Sequence, residues 1–292
     1  MCPILGKPIV ERVMDTLVAN GVKDFVLVTS PDDDEIVNYF TCQSQIDAKV
    51  VFVPQPQQLG MGHALLQALP HINGSFVLSS CDNIVSEDEV NRMLEYWRKN
   101  QLNGILTLLP VGPEEIVRMG IVEWDGERII RIVEKPTLDE APSNLGSVPL
   151  YMFSQRLLAY LPKIEPSPRG EMELQDAIQP LIEVDGEVHG LMLNERIDLT
   201  LPDDLLRLNI HYLTSGYAHI SSLQNKIRDQ TNIIPPVYID PDVSIGANCT
   251  IGPNVYLERG CKIGDGVRLE NVVVLRGREV SNHTETKHQV IW

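Results

Sequence analysis

Apolar positions follow two spacings along the first two thirds of the chain. Over residues 9–20, Ile9, Val10, Val13, Leu17 and Val18 fall near helical spacing, and Gly21 stands where a helix stop belongs. Asp24-Phe-Val-Leu-Val-Thr29 predicts a buried strand, 32–39 a helix, and Lys49-Val-Val-Phe-Val53 another strand. Helix and strand in quick alternation argue for parallel α/β. Phe76, Val77 and Leu78 form a further strand, followed by small residues, Asp82 and Asn83, then Ser86-Glu-Asp-Glu89 ahead of a helix at 87–99 and a strand at 104–109. Residues 120–136 alternate about Asp125-Gly126, a strong turn pair, which predicts a hairpin ending in Glu134-Lys135-Pro136. A loop then enters a strand that ends at Phe153. A helix is expected at 174–184, a strand at 190–193, and a helix begun by Asp203 and Asp204.

From Tyr238 the period changes. Ile239, Ile245, Ile251, Leu257, Ile263, Leu269 and Leu275 recur every six residues. Val243, Cys249, Val255, Cys261, Val267 and Val273 keep a second row of small apolar residues. A six-residue period predicts a parallel β-helix with one flat side per repeat. Two turns of such a solenoid need a cap or a partner surface, so self-association is expected. Residues 210–236 read as a mostly helical linker, and 276–292 as a polar surface tail in which His283 and His288 hold no metal.

Composition narrows the function classes. The chain has 292 residues, 24 Lys and Arg against 40 Asp and Glu, and a net charge of −16. Such a chain repels nucleic acids and anionic membranes, so neither is an expected partner. No apolar run reaches membrane-spanning length and no signal peptide opens the chain. The five scattered cysteines lack any CxxC pair and read as reduced thiols in a cytoplasmic protein.

Two stretches carry candidate chemistry. Asp82 follows a strand, where ligands of open α/β sheets sit, and a carboxylate there suits Mg²⁺; the alternative is that it caps a turn or the next helix. Pro54-Gln-Pro-Gln-Gln-Leu-Gly-Met-Gly-His63 is a loop entering a helix. Gln55 and Gln58 suit a nucleobase edge, and Gly60 and Gly62 allow a ligand close to the backbone. The alternative is a Pro/Gly turn with solvated glutamines.

Taken together, Pro3-Ile-Leu-Gly-Lys-Pro-Ile9, Gln55-Pro-Gln-Gln-Leu-Gly-Met-Gly-His-Ala64, Cys81-Asp-Asn83, Gly120-Ile-Val-Glu123, Val133-Glu-Lys-Pro136, Asn144, Arg169-Gly-Glu171 and Asp198 before Pro202-Asp-Asp-Leu-Leu206 resemble the sugar-1-phosphate nucleotidyltransferases. The nearest look-alikes are glucose-1-phosphate thymidylyl- and uridylyltransferases and the uridylyltransferase half of the bifunctional N-acetylglucosamine-1-phosphate enzyme. The resemblance implies a Rossmann-like, mixed-sheet nucleotidyltransferase domain over 1–209, a linker over 210–236, a short left-handed parallel β-helix of hexapeptide repeats over 237–275, and a tail over 276–292. It implies that Gln55, Gly60 and Met61 lie at the pyrimidine base, that Gly120, Glu134, Lys135 and Asn144 line the sugar and its phosphate, and that Asp82 and Asp198 hold Mg²⁺. Asp82, Asp198 and Lys135 are then the catalytic set. The implied reaction is attack of a sugar-1-phosphate on the α-phosphorus of UTP or dTTP, with release of pyrophosphate.

The resemblance starts at Pro3, past the glycine-rich, Arg-containing loop with which the family opens, and that loop is expected to be needed for full turnover. Cys81, Met61, Pro149 and Leu199-Thr200 depart from the family pattern. A second reading is a catalytically silent paralogue that binds nucleotide sugars as a regulatory or scaffold subunit. A third, acyl transfer by the repeats, lacks a well-placed histidine.

Overall fold

The computed structural model describes residues 2–194, 196–199, 201–220 and 226–292, without the side chains of Asp198 and Pro202. The chain opens with a two-strand hairpin, β1 (Pro3–Ile4) and β2 (Lys7–Pro8), and runs into helix α1 (Ile9–Ala19). There follow β3 (Asp24–Thr29), α2 (Asp34–Cys42), β4 (Lys49–Pro54), α3 (Met61–Ala68), β5 (Phe76–Ser79), β6 (Asn83–Ile84), α4 (Glu87–Lys99), β7 (Gly104–Pro110), α5 (Pro113–Ile116), β8 (Gly120–Trp124), β9 (Ile129–Glu134), β10 (Leu145–Phe153), α6 (Gln175–Pro180) and β11 (Val188–Met192). After these come β12 (Ile197–Asp198), α7 (Pro202–Tyr212) and eleven short strands: β13 (His219–Ile220), β14 (Lys226–Ile227), β15 (Asn232–Ile233), β16 (Val237–Ile239), β17 (Ser244–Ile245), β18 (Thr250–Ile251), β19 (Val255–Leu257), β20 (Lys262–Ile263), β21 (Arg268–Val274), β22 (Glu279–Val280) and β23 (Glu285–Ile291). The chain divides into two compact units, Val13–Arg196 and Met1–Arg12 with Ile197–Trp292. No helix among the described residues is long and apolar enough to cross a membrane.

The unit Val13–Arg196 is an α/β domain. Its main sheet runs β11-β7-β10-β8-β9, with β5 on β10. β11 is parallel to β7, whereas β10 is antiparallel to β5, β7 and β8. The sheet is therefore mixed. β3 and β4 pair in parallel with each other as a separate two-stranded sheet. The strand expected to be buried at 24–29 is accordingly only half-buried, because a lone strand pair has too few neighbours to cover both faces. One face of the main sheet packs Leu106, Leu108, Val122, Tyr151 and Phe153 against Leu157, Leu174 and Ile178, all at most 1% exposed. The other packs Ile105, Val148 and Leu150 against Val90 and Met93 of α4. Ser86 caps α4 through Glu89 N at 3.3 Å, as Ser before an acidic first turn should. At the hairpin turn, Asp125 Oδ1 accepts from Glu127 N (2.9 Å) and Arg128 N (2.7 Å), which fixes the β8–β9 register.

In the other unit, strands pair in parallel with strands eighteen residues further on: Val237 with Val255, Ser244 with Lys262 and Thr250 with Arg268. The six-residue rows point inward, and Ile239, Ile245, Ile251, Leu257, Val243, Cys249 and Val255 are at most 1% exposed. Three sequence expectations are corrected here. First, the rows slip once: Val255 pairs with Val272 and Leu257 with Val274, so Val272 and Val274 enter the core layer in place of Val273 and Leu275. The cause is a shorter corner, Glu270-Asn271 standing under Gly252-Pro253-Asn254, and Asn254 Nδ2 donates to Asn271 Oδ1 at 2.7 Å. Second, 276–292 is no tail: β22 pairs with β20 and β23 with β21. Third, among the described residues of 210–236 helix is confined to the start. β13, β14 and β15 pair with β16, β17 and β18 as a first layer. Ile227 and Ile233, in step with Ile239, carried that signal in the sequence.

The hairpin β1–β2 belongs to this same unit. Leu5 N donates to Asn209 Oδ1 at 3.0 Å and Gly6 N to the Tyr256 hydroxyl at 3.0 Å. The buried Arg12 guanidinium donates to Ile4 O at 2.9 Å and lies 4.5 Å over the Tyr212 ring.

Candidate functional site

The loop after β4 closes on itself. Gln55 Nε2 donates to Gly60 O at 3.1 Å and stands 3.0 Å from His63 Nδ1, in the first turn of α3. Gly60 has φ 91° and precedes the first residue of α3, a conformation that side chains disfavour. A Cβ on Gly60 would meet Met172 O at 3.0 Å, and one on Gly62 would meet it at 2.7 Å. Met172 N donates to Leu59 O at 2.7 Å, and Gly62 N to Met172 O at 2.9 Å. On this face, then, the two glycines admit the chain's own segment 171–172. Met61 is half-buried and packs against the domain core.

Segment 171–172 links that loop to the second cluster. Lys135 Nζ lies 3.3 Å from Glu171 Oε2 and 3.8 Å from Glu134 Oε1. Lys135 takes φ 46° and its N–H donates to Met119 O at 3.1 Å, which turns the chain sharply at the end of β9. Gly120 and Glu134 are directly opposed in the β8–β9 ladder. A Cβ on Gly120 would lie 2.8 Å from Ser147 Oγ, 3.0 Å from Gln175 Nε2 and 3.1 Å from Glu134 Oε2. Only glycine lets these three side chains crowd one backbone position. Ser147 Oγ in turn accepts from the buried Tyr151 hydroxyl at 3.0 Å.

Glu134 is the electrostatically unusual group. Its Oε2 is buried with no hydrogen-bond partner among the described residues. Burial pushes its carboxyl up to about 7, against the pull of Lys135 and with a further push from Glu173. Desolvation wins because Lys135 is 3.8 Å away and is shared with Glu171. Arg169 Nη2 is held at 2.7 Å by Glu173, so its charge is largely spent there.

Asp82 follows β5 and is half-buried; its Oδ1 faces Asn83 Nδ2 at 3.4 Å, and the same amide donates to Ser80 Oγ at 2.5 Å. Asp198 ends β12 in the other unit, and its side chain lies outside the described residues. Asn144 is exposed, just before the strand whose Gly146 pairs with Ile121. The structure thus brings Gly120, Glu134 and Lys135 together and joins them through Glu171–Met172 to the loop of Gln55 and Gly60, while Asn144 is exposed and its carbonyl accepts from Val111 N at 2.9 Å. Among the described residues no group of three His, Cys, Asp or Glu could hold a metal. The sequence reading missed His63, Ser147 and Gln175. Only His63 lay inside a marked motif; the other two are isolated polar residues on a strand and a helix, with no local signal.

The family model described as "Nucleotidyl transferase" matches residues 1–215, and that of the "GMPPB C-terminal domain" matches residues 233–291. A bifunctional protein GlmU of Methanococcus maripaludis strain S2 is 31% identical over 100% of this chain and 67% of its own length. A second, from strain C7, is 33% identical over 80% of this chain and 54% of its own. This chain therefore spans two thirds of one and about half of the other. A putative UTP–glucose-1-phosphate uridylyltransferase of Methanocaldococcus jannaschii is 27% identical over 68% of this chain and 80% of its own. A crystal structure of UDP-glucose pyrophosphorylase complexed with UDP-glucose superposes with a TM-score of 0.66 at 22% identity, covering 74% of this chain and 90% of that one. At that identity the superposition speaks for the fold.

Proposed function

The chain belongs to the sugar-1-phosphate nucleotidyltransferase family, and we propose that it transfers a uridylyl or thymidylyl group to a sugar-1-phosphate and releases pyrophosphate. One observation carries the assignment of parts. Segment 171–172 hydrogen-bonds the loop of Gln55 and Gly60 and also salt-bridges Lys135, so a base-reading loop and a sugar-phosphate cluster share one support.

In this reading Gln55 and Gly60, with Met61 beside them, meet the edge and face of the pyrimidine. Gly120, Glu134 and Asn144 meet the sugar. The Glu134 carboxylate accepts from sugar hydroxyls, and Lys135 exchanges part of its pairing with Glu171 for the sugar phosphate. A phosphate oxygen of the sugar-1-phosphate then attacks the α-phosphorus of the nucleotide. The bond from that phosphorus to the bridging oxygen breaks, and pyrophosphate leaves with the electron pair. No covalent bond to the protein is needed, so the residues act by positioning and charge. Asp82 is a half-exposed hard-oxygen donor with one long amide contact, which fits Mg²⁺. We assign Asp82 and Asp198 to hold that ion, which when bound neutralises charge on the phosphate oxygens.

The parallel layers of the other unit and the match over 233–291 support a short left-handed β-helix of hexapeptide repeats that mediates self-association. A cytoplasmic place is part of the same proposal, supported by five scattered cysteines with no CxxC pair. The test is pyrophosphate release with Mg²⁺, UTP or dTTP and a panel of sugar-1-phosphates. Release dependent on one sugar-1-phosphate is expected. Release independent of any sugar would point to hydrolysis and contradict the proposal.

A further inference from the structure

The hydrogen bonds around Gln55 settle which end of its amide faces outward. Its Nε2 points at the Gly60 carbonyl at 3.1 Å, an oxygen that also receives Ala64 N–H at 3.1 Å. A carbonyl only accepts, so the –NH₂ end must face it. The same nitrogen stands 3.0 Å from His63 Nδ1, which must then accept. A neutral imidazole that accepts at Nδ1 carries its proton on Nε2. The Gln67 amide nitrogen lies 3.2 Å from that Nε2 and 3.5 Å from the His63 carbonyl oxygen, so the tautomer follows from the shorter contacts of Gln55 and not from Gln67. Both hydrogens of the Gln55 amide are thereby committed. Its Oε1 has no donor among the described residues and remains as the one group Gln55 can offer.

We propose that His63, together with the Gly60 carbonyl, is a positioning residue that locks Gln55 as an acceptor and so makes the nucleotide site select pyrimidines carrying a ring N–H. Uracil and thymine offer N3–H to Oε1. Cytosine presents a lone pair at N3 and is repelled. A site built to accept one hydrogen bond rejects a base that cannot give it, because the oxygen is left unpaired against another acceptor. The inference rests on the reading that Gln55 faces the base. It adds His63, acting through Gln55, as a source of the selectivity.

Two measurements on the whole chain test it. Ring ¹⁵N shifts report the His63 tautomer without any ligand. A protonated Nε2 and bare Nδ1 are expected, and a proton on Nδ1 would overturn the lock. Calorimetric binding of UTP, dTTP and CTP is then compared among the wild type, His63→Leu and His63→Asn. The amide oxygen of Asn can stand in for Nδ1. The wild type should favour UTP and dTTP over CTP. His63→Leu should lose about tenfold of that preference, the worth of one neutral hydrogen bond, and His63→Asn should keep it. If His63→Leu binds UTP and still rejects CTP as the wild type does, the lock is wrong while the Gln55 reading survives. If the wild type binds UTP and CTP equally, or binds neither, base reading by Gln55 fails and the lock with it.

Discussion

At the scale of single residues, Glu134 has the clearest consequence. Its side chain is 14% exposed, and burial raises its carboxyl from 4.5 to about 7. A carboxyl whose folded value is raised prefers its neutral form in the fold. Its contribution to stability is therefore full below about pH 4.5 and is lost as pH rises through 7. The loss amounts to about 3 kcal/mol by pH 8. Glu134→Gln should flatten that slope in denaturant titrations at pH 5 and pH 8; an unchanged slope would show that the carboxyl is not desolvated. Sugar hydroxyls donate to the ionised form, so sugar affinity should rise across the same window. Asp82→Ala and Asp198→Ala should each cut Mg²⁺-dependent turnover by about 100-fold or more while circular dichroism stays native. Unchanged turnover in either would remove it from the metal site. Glu134 and Lys135 were legible because a charged pair ended an alternating strand. The shift on Glu134 was not, since it comes from Gly120, Ser147 and Gln175 closing around it from distant parts of the chain.

At the scale of elements, alternation about Asp125-Gly126 announced the β8–β9 hairpin, and its register sets Gly120 opposite Glu134. The inward rows from Ile239 to Leu269 were legible in the same way, because a side chain buried at every sixth position leaves a period in the sequence. The slip after Val267 was not. A corner one residue shorter shifts the frame while keeping apolar residues at both candidate positions, Val272 and Val273. Nor was the layer formed by β22 and β23, where Lys287, His288 and Gln289 sit in strand positions that a sequence reading assigns to solvent. Layer position should govern mutational cost. Ile251 is fully buried and lies between Ile233 and Leu269, so Ile251→Ala should cost about 2–5 kcal/mol in urea unfolding. Ile227, 40% exposed in the first layer, should cost less than about 1 kcal/mol when changed to Ala. Equal costs would mean that the layers do not share the packing described.

At the scale of the molecule, the α/β class was legible from alternating helix and strand, but the mixed sheet was not, because strand order leaves no local trace. β10 is nine residues long and takes β5, β7 and β8 as neighbours, which makes it the strand on which the sheet is built. Among the described residues β23 pairs only with β21, leaving one edge of its seven residues open. With a net charge of −16, the chain should self-associate more strongly as salt screens that repulsion. Light scattering at two salt concentrations checks this, and a monomer in both would contradict the role proposed for the repeats.

The central claim is that the nucleotide's α-phosphorus ends on the sugar phosphate. The most direct measurement gives the chain UTP labelled at the α-phosphorus, Mg²⁺ and each sugar-1-phosphate, and separates the products. The account predicts label in a nucleoside diphosphate sugar, with unlabelled pyrophosphate released in equal amount. Label recovered in the nucleoside monophosphate, or remaining in UTP with every sugar, would contradict it.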